Sequence, residues 1–340
     1  MSQSFCLPSP ASDGHDRSQP RGSEVHGFPG TAPAPLSRAV LEFNATLVSR
    51  QDLSNTLAIF RVRPDEVPSA EASWFEPGQY TAFGLRDGDG RNDRALLRPY
   101  SMASPPEERR WLELYVRRVG TAPGSDTFTW RLWDLPPGGR LHVRGSYAGR
   151  LTLRHTIRDD DTRWRLFVAS GTGLGPFVSI VRSQVRRCSP LLSRMVVLHG
   201  ASFAHELGYR AELGSALGER YFPSVSRPTT PLREDEAGRV ETFFDQGRVE
   251  VLEEVLGLRP GGLTPETAVI FVCGLRGTIA ETCRRLLRRG FVPANHRLRR
   301  WLGVADRVPA SLFFEQYDTA PIFPAEQLEV LRQVLPARSR

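Results

Sequence analysis

The sequence has few cysteines, and none are spaced as metal ligands. Its 340 residues contain four, at Cys6, Cys188, Cys273 and Cys283. None belongs to a C-x-x-C pair, and their spacing matches neither a zinc site nor an iron–sulfur ligand set. We therefore expect no metal site, and any electron transfer by this chain requires an organic cofactor.

Long apolar runs are also missing. No run approaches the roughly 20 residues that a membrane-spanning helix needs. The segment from Met1 to Pro35 has no apolar stretch that could form the core of a signal peptide. These absences predict a cytoplasmic protein with no membrane partner, and we expect a monomer.

The formal net charge is +7, and the basic residues are scattered along the chain. No nucleic-acid-binding motif accompanies them, so we expect no nucleic-acid partner. Two interpretations of the charge remain open. The arginines are either solvated surface residues of an arginine-rich protein or the counterpart of an acidic protein partner.

Composition and periodicity divide the chain into four segments. Residues 1–36 are rich in Ser, Pro, Gly and Asp, which predicts a disordered leader. Residues 37–158 contain short alternating stretches separated by turn residues, as at Ala39–Val48 and Leu57–Val62, which is typical of a small antiparallel barrel.

The second half of the chain changes pattern. Across residues 159–317, apolar strands such as Arg165–Ala169 and Val269–Val272 alternate with helical stretches. This alternation is typical of a parallel sheet with helices on both sides. Residues 318–340 form a C-terminal extension, in which Pro324–Leu335 has the period of a short helix.

Two motifs carry chemical information. The strand Arg165–Ala169 runs into a glycine loop, Gly171–Pro176, and then into a helix. Glycines let the backbone approach a pyrophosphate, and a helix N-terminus favours its negative charge. The second motif is Arg98–Ser101. There the arginine can neutralise a pyrophosphate, the tyrosine can stack on a ring, and the serine hydroxyl can reach a ring nitrogen.

Four motifs in a fixed order support a family resemblance. They are F-x-P-G-Q-Y at Phe75–Tyr80, R-P-Y-S at Arg98–Ser101, G-T-G-L-G-P at Gly171–Pro176 and V-C-G at Val272–Gly274. Between Leu41 and Tyr317 the chain resembles the bacterial ferredoxin–NADP reductases. The resemblance implies an antiparallel β-barrel FAD domain followed by an α/β parallel-sheet NADP domain. It also implies hydride transfer between NADP(H) and FAD, with single electrons passing to or from ferredoxin or flavodoxin, which are acidic carriers.

The resemblance also assigns residues to the FAD site. Ser101 would lie near the nitrogen that accepts the hydride. The segment Asp126–Thr129 occupies the place of the family's second pyrophosphate loop, although the glycine- and lysine-like pattern usual in that loop is absent there. The implied FAD-binding residues are Arg98, Pro99, Tyr100, Ser101, Tyr115, Val116, Arg117, Thr127 and Thr129.

On the NADP side, the resemblance implies that the glycine loop faces the pyrophosphate and the nicotinamide. Cys273 would end a strand beside the nicotinamide, Glu315 would supply a nearby carboxylate, and Tyr317 would cover the flavin face where the nicotinamide must stack. The implied catalytic group is Ser101, Cys273, Glu315 and Tyr317. The implied NADP contacts are Gly171, Thr172, Gly173, Pro176 and Gly274, with Tyr317 beside them.

A preference for NADP requires positive charge around the 2′-phosphate. Arg227 and Arg239 match two arginines that the bacterial branch uses for this purpose. Ser202 stands where that branch often has a third arginine. Serine can donate a hydrogen bond but carries no charge. The sequence therefore favours NADP over NAD, but by a smaller margin than it would with a third arginine at this position.

A basic surface on the C-terminal half could receive an acidic electron carrier, since complementary charge speeds encounter. Two alternatives remain open. One is an NAD(P)H-dependent flavin or quinone reductase, or the reductase component of an oxygenase, on the same scaffold. The other is a basic binding protein that has no cofactor. The surface consists of Arg284, Arg285, Arg288, Arg289, Arg297, Arg299 and Arg300.

Overall fold

The structure is a computed structural model. It describes residues 42–69, 72, 74–86, 95–120, 127–231, 233, 236–316 and 320–334. The predicted leader therefore lies outside the described residues. The strands are β1 (Ala45–Ser54), β2 (Leu57–Pro64), β3 (Tyr80–Arg86), β4 (Ala95–Ser101), β5 (Leu112–Arg117), β6 (Arg140–Val143), β7 (Trp164–Ser170), β8 (Met195–Ala201), β9 (Tyr221–Val225), β10 (Ala268–Cys273) and β11 (Leu312–Glu315).

The helices lie mostly in the second half of the chain. They are α1 (Phe128–Asp134), α2 (Leu153–Thr156), α3 (Gly175–Arg186), α4 (Arg210–Leu217), α5 (Val249–Val255), α6 (Arg276–Arg288), α7 (His296–Leu302) and α8 (Ala325–Val334). Among the described residues, no helix is long and apolar enough to cross a membrane.

The first half folds into an antiparallel barrel. Within the described ranges six strands follow the order β4-β3-β6-β1-β2-β5. An antiparallel bridge between Met102 and Leu114, just beyond β4, brings the two edges of this sheet together. Alternating apolar residues such as Leu47 and Phe60 fill the interior, which is why the sequence shows the period of two.

The second half is a parallel sheet with helices on both faces. Its described strands follow the order β11-β10-β7-β8-β9, and every pair is parallel. Successive residues of β7 alternate between two cores: Leu166 packs on one face and Phe167 on the other. Strands buried on both faces have nearly continuous apolar sequence. The predicted fold class is therefore confirmed.

The C-terminal extension adds a helix to this second domain. α8 packs against α6 and α7. Its Leu331 is buried, as is Phe323 just before the helix, and both join the core on that side of the sheet. The helix predicted over Pro324–Leu335 is present: it begins at Ala325 and continues to Val334, and Leu335 lies outside the described residues.

Candidate active site between the two domains

The glycine loop after β7 lies against the end of β10. β7 ends at Ser170, a 3-10 turn covers Gly171–Leu174, and α3 begins at Gly175. A Cβ atom on Gly173 would lie 2.3 Å from the carbonyl oxygen of Cys273, closer than real side chains come. Only glycine permits this approach, so position 173 fixes the loop on the neighbouring strand.

Gly274 makes the matching approach from β10. Its φ is +149°, and a Cβ atom there would lie 2.3 Å from the Oγ of Ser170. The backbone N–H of Leu275 donates to the same hydroxyl at 3.2 Å. The ends of β7 and β10 are therefore held together. The residues that share this edge of the sheet are Gly171, Thr172, Gly173, Pro176, Cys273 and Gly274.

The R-P-Y-S motif of the barrel, Arg98–Ser101, lies beside this loop. Ser101 ends β4, and its carbonyl oxygen lies 3.7 Å from the position that a Cβ atom on Gly175 would occupy. The carbonyl of Ser104 accepts a hydrogen bond from the Oγ of Ser179 in α3 at 2.8 Å. The R-P-Y-S motif and the glycine loop, distant in sequence, therefore lie side by side, and we call the region that they border the crevice.

β4 presents the rest of the barrel motif. The ring of Tyr100 packs on Phe128 with centroids 5.5 Å apart, and burial raises the pKa of its hydroxyl well above the ordinary range. Arg98 is exposed and donates to the carbonyl of Leu97 at 2.8 Å. Pro99 pairs with Ala82 of β3. An aromatic wall and an exposed guanidinium thus lie on one strand.

Glu315 lies at the same edge of the parallel sheet. It pairs with Cys273 in the register of β10 and β11. Its Oε1 lies 3.3 Å from the position of a Cβ atom on Gly149, in the barrel half. Its Oε2 is buried with no hydrogen-bond partner in the described part of the chain. Burial raises the pKa of this carboxyl to about 7.

The β5 side chains have partners in the other domain. The hydroxyl of Tyr115 donates to the carbonyl of Glu206 at 2.8 Å, and Arg117 pairs with the carboxylate of Glu206 at 2.9 Å. Val116 is buried in the barrel core. Tyr115 and Arg117 therefore join the two domains. Contact between β5 and FAD stays a prediction.

The hydroxyls before α1 are engaged locally. Thr127 accepts a hydrogen bond from the N–H of Trp130, and Thr129 accepts one from the N–H of Val119 at 2.9 Å. The two hydroxyl oxygens lie 3.2 Å apart. Their proposed contact with a pyrophosphate stays a prediction. Tyr317 lies outside the described residues, and its role likewise stays a prediction.

The three positions assigned to the 2′-phosphate lie around the ends of β8 and β9. The N–H of Arg227 donates to the carbonyl of Ser202 at 2.9 Å, and the N–H of Gly238 donates to the carbonyl of Val225 at 2.9 Å. Arg239, which follows Gly238, pairs with the buried carboxylate of Glu241. This ion pair reduces the charge that the site offers to a phosphate.

Sequence reasoning missed a buried ionic network between the domains. Arg182 of α3 pairs with Glu113 of β5 and with Glu212 of α4, each at 2.6 Å. The hydroxyl of Tyr209 donates to Glu113 at 3.1 Å. Although burial opposes it, Arg182 and Arg61 hold the pKa of Glu113 below its ordinary value. The signal was present as a lone glutamate within the apolar strand Leu112–Arg117.

The predicted basic surface is smaller than its sequence suggests. Arg284, Arg285 and Arg289 pair with carboxylates, the last with Glu253 at 3.0 Å. Arg299 is 6% exposed and donates to backbone carbonyls around residues 293–308. These four arginines serve the fold. The exposed members are Arg288, Arg297 and Arg300.

The crevice fits a flavin and a nicotinamide nucleotide. It has an aromatic wall at Tyr100 and a buried carboxyl oxygen of Glu315 that lacks a partner among the described residues. Gly171 has a φ of +54°, and a Cβ atom built on it would have no described atom within 4 Å. The loop therefore presents open backbone beside the N-terminus of α3, where a pyrophosphate binds well.

Comparisons with known proteins agree with this geometry. A family model described as an oxidoreductase NAD-binding domain matches residues 167–284. Ferredoxin–NADP reductase B of Sorangium cellulosum is 32% identical over 260 residues, which are 75% of this chain and 95% of that protein. The reductase component 1 of terephthalate 1,2-dioxygenase from a Comamonas species is 34% identical over 142 residues, 39% of this chain and 36% of that protein.

A solved structure has the same fold. It is a ferredoxin NADP+ reductase from Neisseria gonorrhoeae with bound FAD and NADP, with a TM-score of 0.61 and 21% identity. The match covers 81% of this chain and 98% of that one. Fold and site together define an oxidoreductase of the FAD- and NAD(P)-binding class.

The reductase of Sorangium cellulosum identifies the family, because the match covers 95% of that protein at 32% identity. The chain belongs to the ferredoxin–NADP reductase family. The predicted family and its cofactors, FAD and NADP(H), are thereby confirmed. The alternative of a binding protein without a cofactor has no support.

Proposed function

We propose that this protein moves a hydride between NADP(H) and a bound FAD and exchanges single electrons with a ferredoxin or a flavodoxin. The observation that carries the proposal is the proximity of Ser101 to Gly175, which puts the R-P-Y-S motif beside the glycine loop. A bound flavin supplies the chemistry, since it takes electrons as a pair and releases them singly.

The chain's own residues bind and orient the two cofactors. Tyr100 offers its ring face to the flavin, and Arg98 offers a guanidinium to the pyrophosphate. Ser101 directs a hydroxyl toward the hydride-accepting position. The open backbone at Gly171 and the N-terminus of α3 receive the pyrophosphate of NADP(H). Holding the two rings face to face at short range is the main task of such a site.

Glu315 is suited to hold a proton in the crevice. A carboxyl whose pKa lies near 7 changes its protonation state close to neutral pH. Its Oε2 has no hydrogen-bond partner within the described ranges, so a bound polar ring can supply one. We assign Glu315 to this role at the edge shared with Cys273.

NADP(H) is the proposed nucleotide, with a modest margin over NAD(H). Arg227 is exposed beside Ser202, whereas Arg239 is already paired with Glu241. One arginine that has no ion-pair partner among the described residues, together with one hydroxyl, attracts a 2′-phosphate less strongly than three arginines do. Binding of NADPH and NADH to the same preparation tests this assignment directly.

The electron acceptor is proposed to be a separate, acidic protein. The four cysteines of the sequence are not spaced as iron–sulfur ligands, so the chain needs an external one-electron carrier. Exposed arginines near the crevice, such as Arg98, and the remaining basic surface of Arg288, Arg297 and Arg300 fit a negatively charged partner. Rates with such a partner should fall as salt rises.

One experiment distinguishes the proposal from its closest rival. The purified protein is reduced with NADPH without oxygen, and its turnover is compared with ferredoxin, flavodoxin, free flavin and a quinone. Faster, salt-sensitive turnover with ferredoxin or flavodoxin supports the proposal. Equal turnover with free flavin or quinone, insensitive to salt, contradicts it.

A second candidate is the reductase component of an oxygenase. The 34% identity to the terephthalate dioxygenase reductase favours it, although the match spans about a third of that protein. A preference for NADH together with electron delivery to an oxygenase, and no turnover with ferredoxin or flavodoxin, would select this second function.

A further inference from the structure

Residues Glu206–Tyr209 of the parallel-sheet domain lie along one face of the barrel strand β5, and we call them the interdomain segment. Side chains at alternate positions of a strand share a face, and Glu113, Tyr115 and Arg117 are alternate residues of β5. Each of these three side chains contacts the interdomain segment. The segment follows Ser202, one of the three positions assigned above to the 2′-phosphate.

Polar contacts hold both ends of the interdomain segment to the barrel. At its start, the carboxylate of Glu206 pairs with Arg117 at 2.9 Å, and the carbonyl of Glu206 accepts a hydrogen bond from the hydroxyl of Tyr115 at 2.8 Å. At its end, the hydroxyl of Tyr209 donates to the carboxylate of Glu113 at 3.1 Å. Because both glutamates are buried, these contacts are stronger than the same contacts would be in water.

The middle of the interdomain segment comes closest to the barrel, at Gly208. A Cβ atom there would lie 2.8 Å from the hydroxyl oxygen of Tyr115 and 3.0 Å from Cδ1 of Leu53 in β1. The N–H of Gly208 donates to the same hydroxyl at 3.3 Å. A larger residue would displace the buried ring of Tyr115 or the segment itself, so this close approach requires glycine.

Tyr209 has a backbone conformation that few residues other than glycine adopt. Its φ is +63°, in the left-handed region, which a residue with a side chain keeps only when its surroundings compensate for the strain. Its ring packs edge-on against that of Tyr115, with centroids 5.3 Å apart, and the guanidinium of Arg182 lies 5.0 Å from its centre. The contacts across the domain boundary therefore stabilise a strained conformation of the interdomain segment.

The interdomain segment is connected to the 2′-phosphate positions through the end of β8. Only residues 203–205 separate it from Ser202. The N–H of Arg227 donates to the carbonyl of Ser202 at 2.9 Å, and the N–H of Ser226 donates to the carbonyl of Ala201 at 3.0 Å. A displacement of the segment is therefore transmitted to the backbone that holds Arg227.

We propose that the interdomain segment positions Ser202 and Arg227 for the 2′-phosphate, so that barrel residues set the preference for NADP(H) through Gly208 and its neighbours. The inference rests on the proposed function, because it takes the 2′-phosphate to bind at these two residues. Gly208 and Tyr209 are positioning residues, which act through the end of β8. NAD(H) has no 2′-phosphate, so its binding does not depend on the position of Arg227.

The test compares the dissociation constants of NADP+ and NAD+ in the FAD-loaded protein, measured from the change in flavin absorbance. Gly208→Ala should weaken NADP+ binding about tenfold and leave NAD+ binding within about twofold, because the loss is that of a charge-assisted hydrogen bond to the 2′-phosphate. Gly214→Ala, in α4, is the matched control. A Cβ atom there would meet only Cδ1 of Tyr221, at 4.0 Å, so both constants should stay unchanged.

Tyr209→Phe keeps the test decisive if Gly208→Ala does not fold. It deletes the hydroxyl contact with Glu113 and adds no atom, and it should weaken NADP+ binding about threefold with NAD+ binding unchanged. Equal weakening of both nucleotides, or no weakening of either, in the folded variants would overturn the inference.

Hydrogen exchange distinguishes failure of this inference from failure of the proposed function. Each of the two variants should speed exchange at the amides of Ser226 and Arg227, relative to amides of α3. Unchanged exchange there, with the preference for NADP+ intact, would overturn the inference alone. An unaltered protein that binds NADP+ and NAD+ equally would overturn the proposed nucleotide preference and the inference with it.

Discussion

The carbonyl oxygen of Ser101 lies 3.7 Å from the position that a Cβ atom on Gly175 would occupy, so the end of β4 lies beside the beginning of α3. This proximity places a barrel strand beside the loop that follows the central strand of the parallel sheet. A methyl group fits there at ordinary van der Waals distance. We expect a branched side chain not to fit, because it adds atoms to a Cβ position that already lies 3.7 Å from Ser101 O and 4.0 Å from Ser101 Cβ.

Gly175→Val should therefore displace the loop from the barrel and impair hydride transfer from NADPH. We expect at least about a tenfold loss in the rate of flavin reduction, since positional errors of about 1 Å cost that much or more. Stopped-flow absorbance checks this. Gly175→Ala is the matched control and should retain most of the rate. Equal rates in both variants would contradict this arrangement.

Gly173→Ala should destabilise the protein and weaken NADPH binding together. Its new methyl group would meet the Cys273 carbonyl at 2.3 Å, and backbone must move to make room. A steric conflict of this kind typically costs about 1–3 kcal/mol. Chemical unfolding and NADPH titration measure both effects. Gly277→Ala, where no described atom lies within 4 Å, is the control and should be neutral or slightly stabilising.

The pH dependence of stability should carry a signature of Glu315. Burial raises the pKa of its carboxyl to about 7 in the folded protein, from an ordinary 4.5. The folded state therefore binds the proton more tightly. This contribution is fully present below about pH 4.5 and is lost as the pH rises through about 7.

Glu315→Gln removes that proton equilibrium. The melting temperature of the variant, relative to the original protein, should increase between pH 5.5 and pH 8, when both are measured in the same buffers. A difference that stays constant across this range would show that the carboxyl does not titrate there.

Several features of the site were predictable because they depend on local geometry. The glycines at 171 and 173 and the apolar strand before them predict a glycine loop between a strand and a helix, and the structure has it. The predicted approach of that loop to a pyrophosphate stays a prediction. The buried state of Arg299 was not predictable. It lies in the arginine-rich stretch Arg297–Arg300, and only the folded chain brings carbonyls from residues 293–308 to its guanidinium. The network of Glu113 and Arg182 escaped prediction for the same reason, because its members come from distant strands and helices.

Arg182 should be a major determinant of stability between the domains. It pairs with the carboxylate of Glu113, which is 3% exposed, so removing it leaves a buried charge without its main partner. Arg182→Met should lower the free energy of unfolding by about 3–5 kcal/mol, measured in urea. Arg288→Met, on the exposed face of α6, should change it by no more than about 0.5 kcal/mol. Equal losses in the two variants would refute this assignment.

Ser202→Arg should widen the preference for NADPH over NADH. The new guanidinium would lie beside Arg227, whose N–H already bonds to the carbonyl of residue 202, and would add a charge-assisted hydrogen bond to the 2′-phosphate. We expect roughly tenfold tighter binding of NADPH with NADH unchanged. Ser202→Ala controls for loss of the hydroxyl. Equal tightening for both nucleotides would place the 2′-phosphate elsewhere.

The most direct test of the shared crevice is an anaerobic titration of the FAD-loaded protein with NADPH, followed by the visible absorbance of the flavin. If Arg98–Ser101 and Gly171–Pro176 hold the two cofactors against each other, one equivalent of NADPH should bleach one equivalent of flavin, and Gly175→Val should slow that bleaching while Gly175→Ala does not. A protein that binds no FAD, or whose flavin stays oxidised with excess NADPH and NADH, would contradict the assignment.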